Sequence, residues 1–302
     1  MYLKPRTTIS TKQYWEQIER IQSLLQSAQR IIVGVGAGMS AAGGLNYADP
    51  ELVKKWFPEY RALGLHTLLD IQSRFWRYDS CKPEAYWGYW ARHIWHIRHE
   101  TGVLQPYRDL FWLLQGKNYF ICSTNVDGQL EKAGFARDRI FAPQGDYRYF
   151  QCSRPCGDTL YPNRDMIEKM ISRMPDAFEI RTDDIPCCAN CGAPLIPNLR
   201  CDDTFVEAPH IQNIFDYENF VQDCRDKATL LLELGVGYNT PAIIRYPFET
   251  MAKLYPKATL VRLNLTDAEI PETLFQRGIE IGKDIKRILA DIREKEAGSG
   301  HE

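Results

Sequence analysis

The sequence predicts an α/β fold built on a Rossmann-like open parallel sheet, and three observations support this prediction. Short apolar runs without polar alternation recur along the chain, as expected for strands buried on both faces of a parallel sheet. Stretches with helical spacing separate these runs. A polar or glycine-containing turn follows each run. The predicted strands are residues 30–35, 119–122, 230–234 and 259–263.

The first predicted element is an amphipathic helix over residues 11–29. Its apolar side chains recur at spacings of three and four residues, which places them on one helix face. They are Trp15, Ile18, Ile21, Leu24 and Leu25. Because the β-branched run 30–35 follows at once, this helix leads directly into the first strand of the sheet.

Two segments interrupt the alternation of strands and helices, and we interpret both as insertions. Residues 51–105 are rich in Trp, Tyr, His and Arg with helical spacing, which predicts a helical module. Residues 150–209 hold a cysteine cluster, several prolines and one short helical piece at 165–174. The predicted domains are a Rossmann-like domain (1–50, 106–149 and 210–290), a small lobe (51–105 and 150–209) and a flexible tail (291–302).

The composition restricts the class of protein. With 302 residues, 44% of them hydrophobic, the chain can bury a large core. The 37 Lys and Arg and the 39 Asp and Glu leave a formal net charge of -2 and are scattered, so we expect no nucleic-acid partner. Since no run approaches about 20 apolar residues, we expect a cytoplasmic protein without a signal peptide, a membrane span or a membrane partner.

Five of the nine cysteines crowd into residues 152–191, which indicates a metal site in a reducing compartment. Cys152 and Cys156 form one pair, and Cys188 and Cys191 form a second pair beyond a loop. Two such pairs predict a structural zinc site with four thiolate ligands. The first pair has an irregular spacing and Cys187 competes with Cys188, so a lobe that has lost its metal remains the alternative.

Other histidines and cysteines carry weaker predictions. His93 and His96 share a helix face, but no nearby acid or cysteine completes a metal site. We therefore expect a wet, aromatic-rich helix surface there. Cys122 and Cys224 lie in apolar or helical contexts and are expected to be buried or partly buried.

The glycine-rich turn at residues 34–44 directly follows the first predicted strand. Glycines let the backbone turn tightly and approach a pyrophosphate, whose charge free N–H groups at a helix N-terminus can bind. The turn therefore predicts binding of a nucleotide. Met39 stands where the third glycine of a GxGxxG motif would be, and a glycine turn without a ligand is the alternative.

Several motifs in order resemble those of sirtuins and cover about residues 30–290. The sequence Gly-Ala-Gly-Met-Ser at 36–40 resembles the sirtuin GAG(I/M)S turn, and Thr-Asn-Val-Asp-Gly at 124–128 resembles the QN(I/V)DG segment. Gln144 and Gly145 stand where sirtuins have a histidine-glycine pair. Two cysteine pairs follow, and then Pro197 and the segments 235–241 and 263–265, in the family's order.

The resemblance implies that the chain binds NAD as a co-substrate and holds structural zinc. It also implies which residues contact NAD. Three of them, Gly235, Gly237 and Asn264, follow predicted strands, where open α/β sheets bind ligands, and we assign them to the adenosine side. The predicted NAD-binding residues are Gly36, Ala37, Gly38, Ser40, Gly44, Thr124, Asn125, Asp127, Gln144, Gly235, Gly237 and Asn264.

The chain also departs from the sirtuin pattern. Residues 45–49 replace the Pro-Asp-Phe-Arg stretch that covers nicotinamide, and residues 199–207 replace an apolar substrate strand. Gln144 replaces the histidine that acts as general base. These departures resemble the divergent macrodomain-linked microbial class, called class M, which transfers ADP-ribose to a lipoylated glycine-cleavage-H-like carrier protein. That resemblance implies a macrodomain hydrolase and a lipoate ligase as functional neighbours.

Four residues are predicted to be catalytic. Glutamine cannot take a proton, so Gln144 is expected to orient groups by hydrogen bonding around an oxocarbenium-like ribose. The family motif implies that Asn125 orients a ribose or a water and that Asp127 orients the nicotinamide carboxamide. Arg200 is expected to pair with an acceptor carboxylate or a phosphate. The alternatives are a turn-forming Asn-x-Asp-Gly and a solvated arginine.

The leading functional hypothesis is NAD-dependent ADP-ribosyl transfer to a protein acceptor with release of nicotinamide. NAD-dependent protein-lysine deacylation is the first alternative. A non-catalytic sensor of NAD or ADP-ribose is the second.

Overall fold

The computed structural model describes residues 10–154 and 156–298. Within these residues, the chain forms helices and strands, with α2 to α6 following one another between β1 and β2. The helices are α1 (Thr11–Ser27), α2 (Ala37–Ala42), α3 (Pro50–Trp56), α4 (Leu68–Arg74), α5 (Pro83–Ile94), α6 (Gln105–Leu113), α7 (Gln129–Ala133), α8 (Arg164–Ser172), α9 (Ile214–Asp223), α10 (Arg245–Leu254) and α11 (Ile285–Gly298). The strands are β1 (Arg30–Val35), β2 (Tyr119–Ser123), β3 (Ile140–Phe141), β4 (Gly145–Cys152), β5 (Tyr161–Pro162), β6 (Leu195–Leu199), β7 (Thr229–Leu234), β8 (Ala258–Leu263) and β9 (Gly278–Ile281). Short 3-10 helices cover Pro58–Leu63, Tyr78–Ser80, Arg137–Arg139, Thr182–Asp184 and Glu272–Arg277, and Trp95–Glu100 is a π-helix.

The described chain contains two compact units. Unit 1 comprises residues 10–39, 108–122 and 218–298, and unit 2 comprises residues 40–107 and 123–217. Both predicted insertions, the helical module (51–105) and the cysteine-rich module (150–209), lie within unit 2. The units divide the chain differently from the predicted domains, because residues 40–50 and 123–149 belong to unit 2 and not to the unit that contains β1.

Five strands of unit 1 lie side by side in one sheet, in the order β2-β1-β7-β8-β9. The pairings of β1 with β7, β7 with β8, and β8 with β9 are all parallel. Every residue of β7 is buried, as the lack of polar alternation in its sequence predicts. All four predicted strands are present, and the predicted α/β class with an open parallel sheet is confirmed.

The first helix of unit 1 begins at a capping box. Ser10 accepts a hydrogen bond from the Gln13 N–H, and the Gln13 side chain accepts one from the Ser10 N–H. The buried Tyr14 hydroxyl donates to Asp291 of α11 at 2.6 Å. Helix α11 continues to Gly298, so it extends through most of the segment predicted to be a flexible tail. Residues 299–302 lie outside the described residues.

Unit 2 combines helices with a small antiparallel sheet in the order β5-β4-β6. Its core is rich in aromatic side chains, most of which come from the helical module. Trp87 of α5, for example, packs on Phe150 of β4 with ring centroids 4.6 Å apart. Among the described residues, none of the helices combines the length and apolar character that crossing a membrane requires.

Candidate functional site

The glycine turn of unit 1 packs closely against the loop after β7. The Gly36 and Gly38 N–H groups donate to the carbonyls of Leu234 and Gly235, each at 2.9 Å. A Cβ on Gly36 would lie 2.5 Å from the Gly235 oxygen, and one on Gly38 would lie 2.7 Å from the Gly235 Cα. The two glycines are therefore required by backbone packing. Helix α2 begins at Ala37, directly after the strand, as a phosphate-binding turn needs.

The loop after β7 is itself fixed by buried donors. The Val236 carbonyl accepts hydrogen bonds from Arg245 Nη1 at 2.9 Å and from Asn264 Nδ2 at 3.0 Å. Gly235 has a positive φ of 64°, which favours glycine. Among the predicted NAD-binding residues, unit 1 thus brings Gly36, Gly38, Gly235 and Asn264 together. A Cβ on Gly237, by contrast, would meet no atom closer than Asp267 Oδ2 at 3.9 Å.

Beneath this loop lies a buried ion pair that sequence reasoning missed. Arg262 donates to both carboxylate oxygens of Glu233, at 2.7 and 3.0 Å, and Arg245 Nη1 lies 3.6 Å from the same carboxylate. Burial raises the pKa of the Glu233 carboxyl, and Arg262 opposes that rise. The sequence does contain an indication of this ion pair, since Glu233 and Arg262 are each the one charged residue of an apolar strand. In the structure the two residues are paired in the β7/β8 register.

In unit 2, four side chains form one polar group, which we call the Ser40 quartet: Ser40, Tyr107, Asn125 and Asp127. Ser40 Oγ donates to Asp127 Oδ2 at 2.5 Å and lies 2.7 Å from the Tyr107 hydroxyl. Asn125 Nδ2 donates to Ser40 Oγ at 3.2 Å and to the Tyr107 hydroxyl at 2.9 Å. The quartet fixes the orientation of the Asn125 amide. Tyr107 was not predicted, because nothing in its local sequence marks it.

Asp127 is buried, and both of its carboxylate oxygens accept hydrogen bonds. Besides Ser40, the Gln129 N–H donates to Oδ1 at 3.0 Å. Burial raises the pKa of the Asp127 carboxyl, and these hydrogen bonds oppose the rise. Gly44, four residues after Ser40, has a φ of 105°, which favours glycine. Thr124, which precedes Asn125, is half-buried.

Gln144 and Arg200 meet where β4 and β6 pair. The Arg200 N–H donates to the Gln144 carbonyl at 3.0 Å, next to the paired residues Gly145 and Leu199. The Arg200 guanidinium donates to the Pro143 carbonyl at 3.0 Å, forms an ion pair with Glu207 and lies 4.5 Å from the Phe205 ring centroid. It therefore has defined partners within unit 2 and differs from a freely solvated arginine.

Two cavities of unit 2 share part of their walls. A small cavity of ≈ 50 Å³ borders Asn125 and Asp127, and a larger one of ≈ 500 Å³ borders His210. Gly145 and Asp146 line both. The segment after Gln144 thus separates the Ser40 quartet from a space large enough for part of a ligand.

The four predicted cysteine ligands form a single cluster in unit 2. The sulfur atoms of Cys152, Cys156, Cys188 and Cys191 all lie within 4.8 Å of one another, and the Cys152–Cys191 and Cys156–Cys188 distances are 3.5 Å. Tetrahedral zinc with Zn–S bonds of 2.3 Å places its sulfurs about 3.8 Å apart. The cluster therefore fits zinc, and it includes Cys188 in place of Cys187, whose Sγ lies 3.7 Å from the Ile185 carbonyl.

The expectation of a wet surface around His93 is wrong. His93 is fully buried, with Nδ1 3.0 Å from the Tyr89 hydroxyl and Nε2 3.2 Å from the Tyr147 hydroxyl. Burial lowers the pKa of His93 to about 3, so this imidazole is neutral. Cys122 and Cys224 are buried, as predicted.

Two curated relatives are similar to the chain over most of its length. A protein ADP-ribosyltransferase from Staphylococcus aureus (strain Mu50) is 30% identical over 277 residues, which cover 91% of this chain and 86% of the relative. A probable bifunctional ADP-ribose hydrolase/ADP-ribosyltransferase from Fusarium oxysporum f. sp. cubense is 29% identical over 283 residues, 88% of this chain and 46% of the relative. No protein-family model matches the chain.

Solved Sir2 structures share the fold. Sir2Tm bound to a propionylated peptide gives a TM-score of 0.56 at 15% identity, with 93% of this chain and 98% of that chain covered. A Sir2 complex with a p53 peptide and NAD+ gives a TM-score of 0.54 at 14% identity, with the same coverage. At sequence identities of 14–15%, these structures are similar to the chain in fold alone.

Proposed function

Because the chain belongs to the family of sirtuin-like protein ADP-ribosyltransferases, we propose that it transfers ADP-ribose from NAD to a protein acceptor and releases nicotinamide. The observation that carries this proposal is the Ser40 quartet. It holds the Asn125 amide and the Asp127 carboxylate in fixed orientations and contains no histidine. Such a site suits chemistry that depends on positioning rather than on proton removal.

We assign each part of NAD to a set of residues. The phosphates are assigned to the glycine turn at the start of α2, with Gly36, Ala37 and Gly38, where the close packing of Gly36 and Gly38 on the loop after β7 sets the course of the backbone. The adenosine side is assigned to Gly235, Gly237 and Asn264. The nicotinamide riboside is assigned to Ser40, Gly44, Thr124, Asn125, Asp127 and Gln144.

In the proposed reaction, the bond between the ribose carbon and nicotinamide breaks and its electron pair leaves with nicotinamide. A lone pair of the acceptor atom then forms the new bond to the same carbon, and the proton of the acceptor group is released to water. Asn125 orients the ribose or a water, and Asp127 orients the carboxamide of the leaving group. Fixed dipoles of this kind stabilise an oxocarbenium-like ribose because they need no reorganisation during the reaction.

The identity of Gln144 supports transfer over deacylation. A glutamine amide donates and accepts hydrogen bonds but cannot serve as a general base for a ribose hydroxyl. The Gln144 carbonyl accepts a hydrogen bond from the Arg200 N–H. Gln144, which replaces the base, is therefore hydrogen-bonded through its backbone to Arg200, which we propose binds the acceptor. Arg200 is proposed to exchange Glu207 for an acceptor carboxylate or phosphate, since a partly exposed ion pair contributes little stability.

We propose a lipoylated glycine-cleavage-H-like carrier as the acceptor, and a macrodomain hydrolase and a lipoate ligase as functional neighbours in the cytoplasm. The resemblance to class M supports this assignment. The name of the fungal relative, which combines an ADP-ribose hydrolase with an ADP-ribosyltransferase, supports a hydrolase that works with this activity. The cysteine cluster is assigned to structural zinc, because four thiolates leave no open coordination position.

Incubation with NAD labelled in its adenosine half tests the proposal. Lipoylated and unlipoylated carriers and an acyl-lysine peptide are supplied in parallel. We expect label on the lipoylated carrier, and none after Asn125→Ala. Label in a small acyl product would indicate deacylation instead, and NAD binding without any labelled product would indicate a sensor.

A further inference from the structure

Arg98 comes from the helical module, a part of the chain to which the proposed reaction assigns no role. It lies in the π-helix Trp95–Glu100, directly after α5, and its side chain is 8% exposed. A π-helix is rare and often marks a functional site, because the wider turn re-aims the side chains on it. The guanidinium of Arg98 points toward two segments that carry predicted catalytic residues. We call residues 124–128 the Asn125 loop and residues 142–146 the Gln144 loop.

Arg98 packs directly on the end of the Asn125 loop. A Cβ on Gly128 would lie 2.3 Å from Arg98 Cζ, so the guanidinium occupies the space that a side chain would need. Gly128 has a positive φ of 69° and directly follows Asp127. Arg98 Nη2 also donates to Glu131 at 3.3 Å, in the helix that begins just after this loop. The guanidinium thus supports the loop at its backbone and through a carboxylate.

The same guanidinium holds the Gln144 loop. Arg98 Nε donates to Asp146 Oδ1 at 3.0 Å, and Asp146 lies two residues after Gln144. The residue that follows the Gln144 loop also contacts the Asn125 loop through the backbone, since the Tyr147 N–H donates to the Val126 carbonyl at 3.0 Å. Arg98 is therefore a buried cation that bonds one carboxylate just after the Asn125 loop and one within the Gln144 loop, and its charge also acts on the Asp127 carboxylate, whose pKa burial raises and Arg98 helps to lower.

The charges explain why the site can hold this arginine. Glu131 also pairs with Arg137 and Arg148, each at 3.0 Å, and Arg148 lies 3.5 Å from Asp146. Removal of Arg98 leaves both carboxylates with a cation, so the fold keeps its compensated charges. What is lost is the one group that contacts Gly128, Glu131 and Asp146 together.

We infer that Arg98 is a positioning residue that holds the Asn125 loop and the Gln144 loop in register for ADP-ribosyl transfer. This inference rests on the proposed function. Since a displacement of about 1 Å can cost about 100-fold in rate, a loss of this support reduces turnover more than it reduces NAD binding.

The test compares Arg98→Gln with Arg98→Lys and Asp146→Asn. We expect Arg98→Gln to lower kcat about 10- to 100-fold with the KM for NAD within about threefold, and Arg98→Lys to recover part of kcat because it keeps one charged contact. Asp146→Asn should show a similar loss of kcat. The double variant Arg98→Gln/Asp146→Asn should have a kcat no lower than that of Arg98→Gln alone, as for residues that act through each other. A kcat of Arg98→Gln within about twofold of wild type, or a purely multiplicative double variant, overturns the inference.

Arg173→Gln is the matched control. Arg173 also pairs with a carboxylate, that of the buried Asp184 at 2.8 Å, and Lys169 remains there as a second cation. Because neither loop is involved, kcat should stay near the wild-type value.

Hydrogen exchange separates a failure of this inference from a failure of the proposed function. Faster exchange of the Gln129 and Tyr147 amides in Arg98→Gln, relative to Arg173→Gln, is expected whether or not the wild type transfers ADP-ribose. Unchanged exchange at both amides overturns the role of Arg98. Absence of transfer by the wild type contradicts the proposed function instead.

Discussion

In the glycine turn after β1, the residues assigned to NAD are small ones in close backbone packing, whereas in the Asn125 loop they carry side-chain amide and carboxylate groups. The turn is held by backbone packing of Gly36 and Gly38 on Gly235. The loop is held by hydrogen bonds among Ser40, Tyr107, Asn125 and Asp127. In the glycine turn, close backbone packing limits the size of the side chain that each position can carry. In the Asn125 loop, the proposed chemistry requires particular functional groups on the side chains. The two regions should therefore respond to different substitutions.

The largest effect is expected from Gly36→Ala. Its Cβ would lie 2.5 Å from the Gly235 oxygen and 2.7 Å from the Val236 Cα, both backbone atoms that cannot rotate away. We expect a loss of about 3 kcal/mol in the free energy of unfolding together with loss of NAD binding. Denaturant unfolding and NAD titration measure the two effects. Gly237→Ala is the control for stability, since the nearest atom to its Cβ is 3.9 Å away, and an equal loss there would contradict the packing argument.

Cys188→Ser sharpens the comparison within unit 2, because it separates structural support from chemistry. Removal of one thiolate leaves the zinc site with three protein ligands. We expect the free energy of unfolding to fall by about 2 kcal/mol, which lowers Tm by about 4 to 8 °C. Cys187→Ser, one residue away and outside the cluster, should keep both Tm and metal content. Metal analysis of wild type that gives far less than one zinc per chain would show that the cluster stabilises unit 2 without metal.

The smallest of the three effects is expected from Tyr107→Phe. The Asn125 amide loses one of its two acceptors in the Ser40 quartet and keeps the other. We expect kcat to fall about tenfold, or about 1.4 kcal/mol, with little change in the KM for NAD. Tyr89→Phe removes a buried hydroxyl that bonds His93 outside the quartet, and it should leave kcat unchanged. Equal losses of kcat in the two variants would contradict a specific role for the Ser40 quartet, because removal of a buried hydroxyl outside it would then have the same effect.

The sheet of unit 1 could be predicted because parallel strands buried on both faces read as uninterrupted apolar runs. The sheet of unit 2 could not. Strand β4 shifts register against β6 between Gly145 and Phe150, and Pro197 stands inside β6. Buried polar residues such as Gln151 and Asn198 bond each other across these strands. The alternation expected of a strand is lost there, so the sequence shows no period.

The candidate site was predictable where it depends on motifs and unpredictable where it depends on distant partners. Asn125 and Asp127 are recognisable from their spacing in a motif. Tyr107 and Arg98 join them through the tertiary fold, and nothing within a few residues of either indicates this. His93 was wrongly placed on a wet surface for the same reason, since its burial depends on Tyr147, 54 residues away.

The most direct measurement of the central claim is the ratio of nicotinamide released to ADP-ribose attached to the acceptor, followed over one time course with the lipoylated carrier. A positioning site without a general base should transfer ADP-ribose with a ratio near one, and the amount of both products should fall together in Tyr107→Phe. Release of nicotinamide with no ADP-ribose on the carrier would contradict the account, because it would show that water or an acyl group, and not a protein acceptor, reaches the ribose.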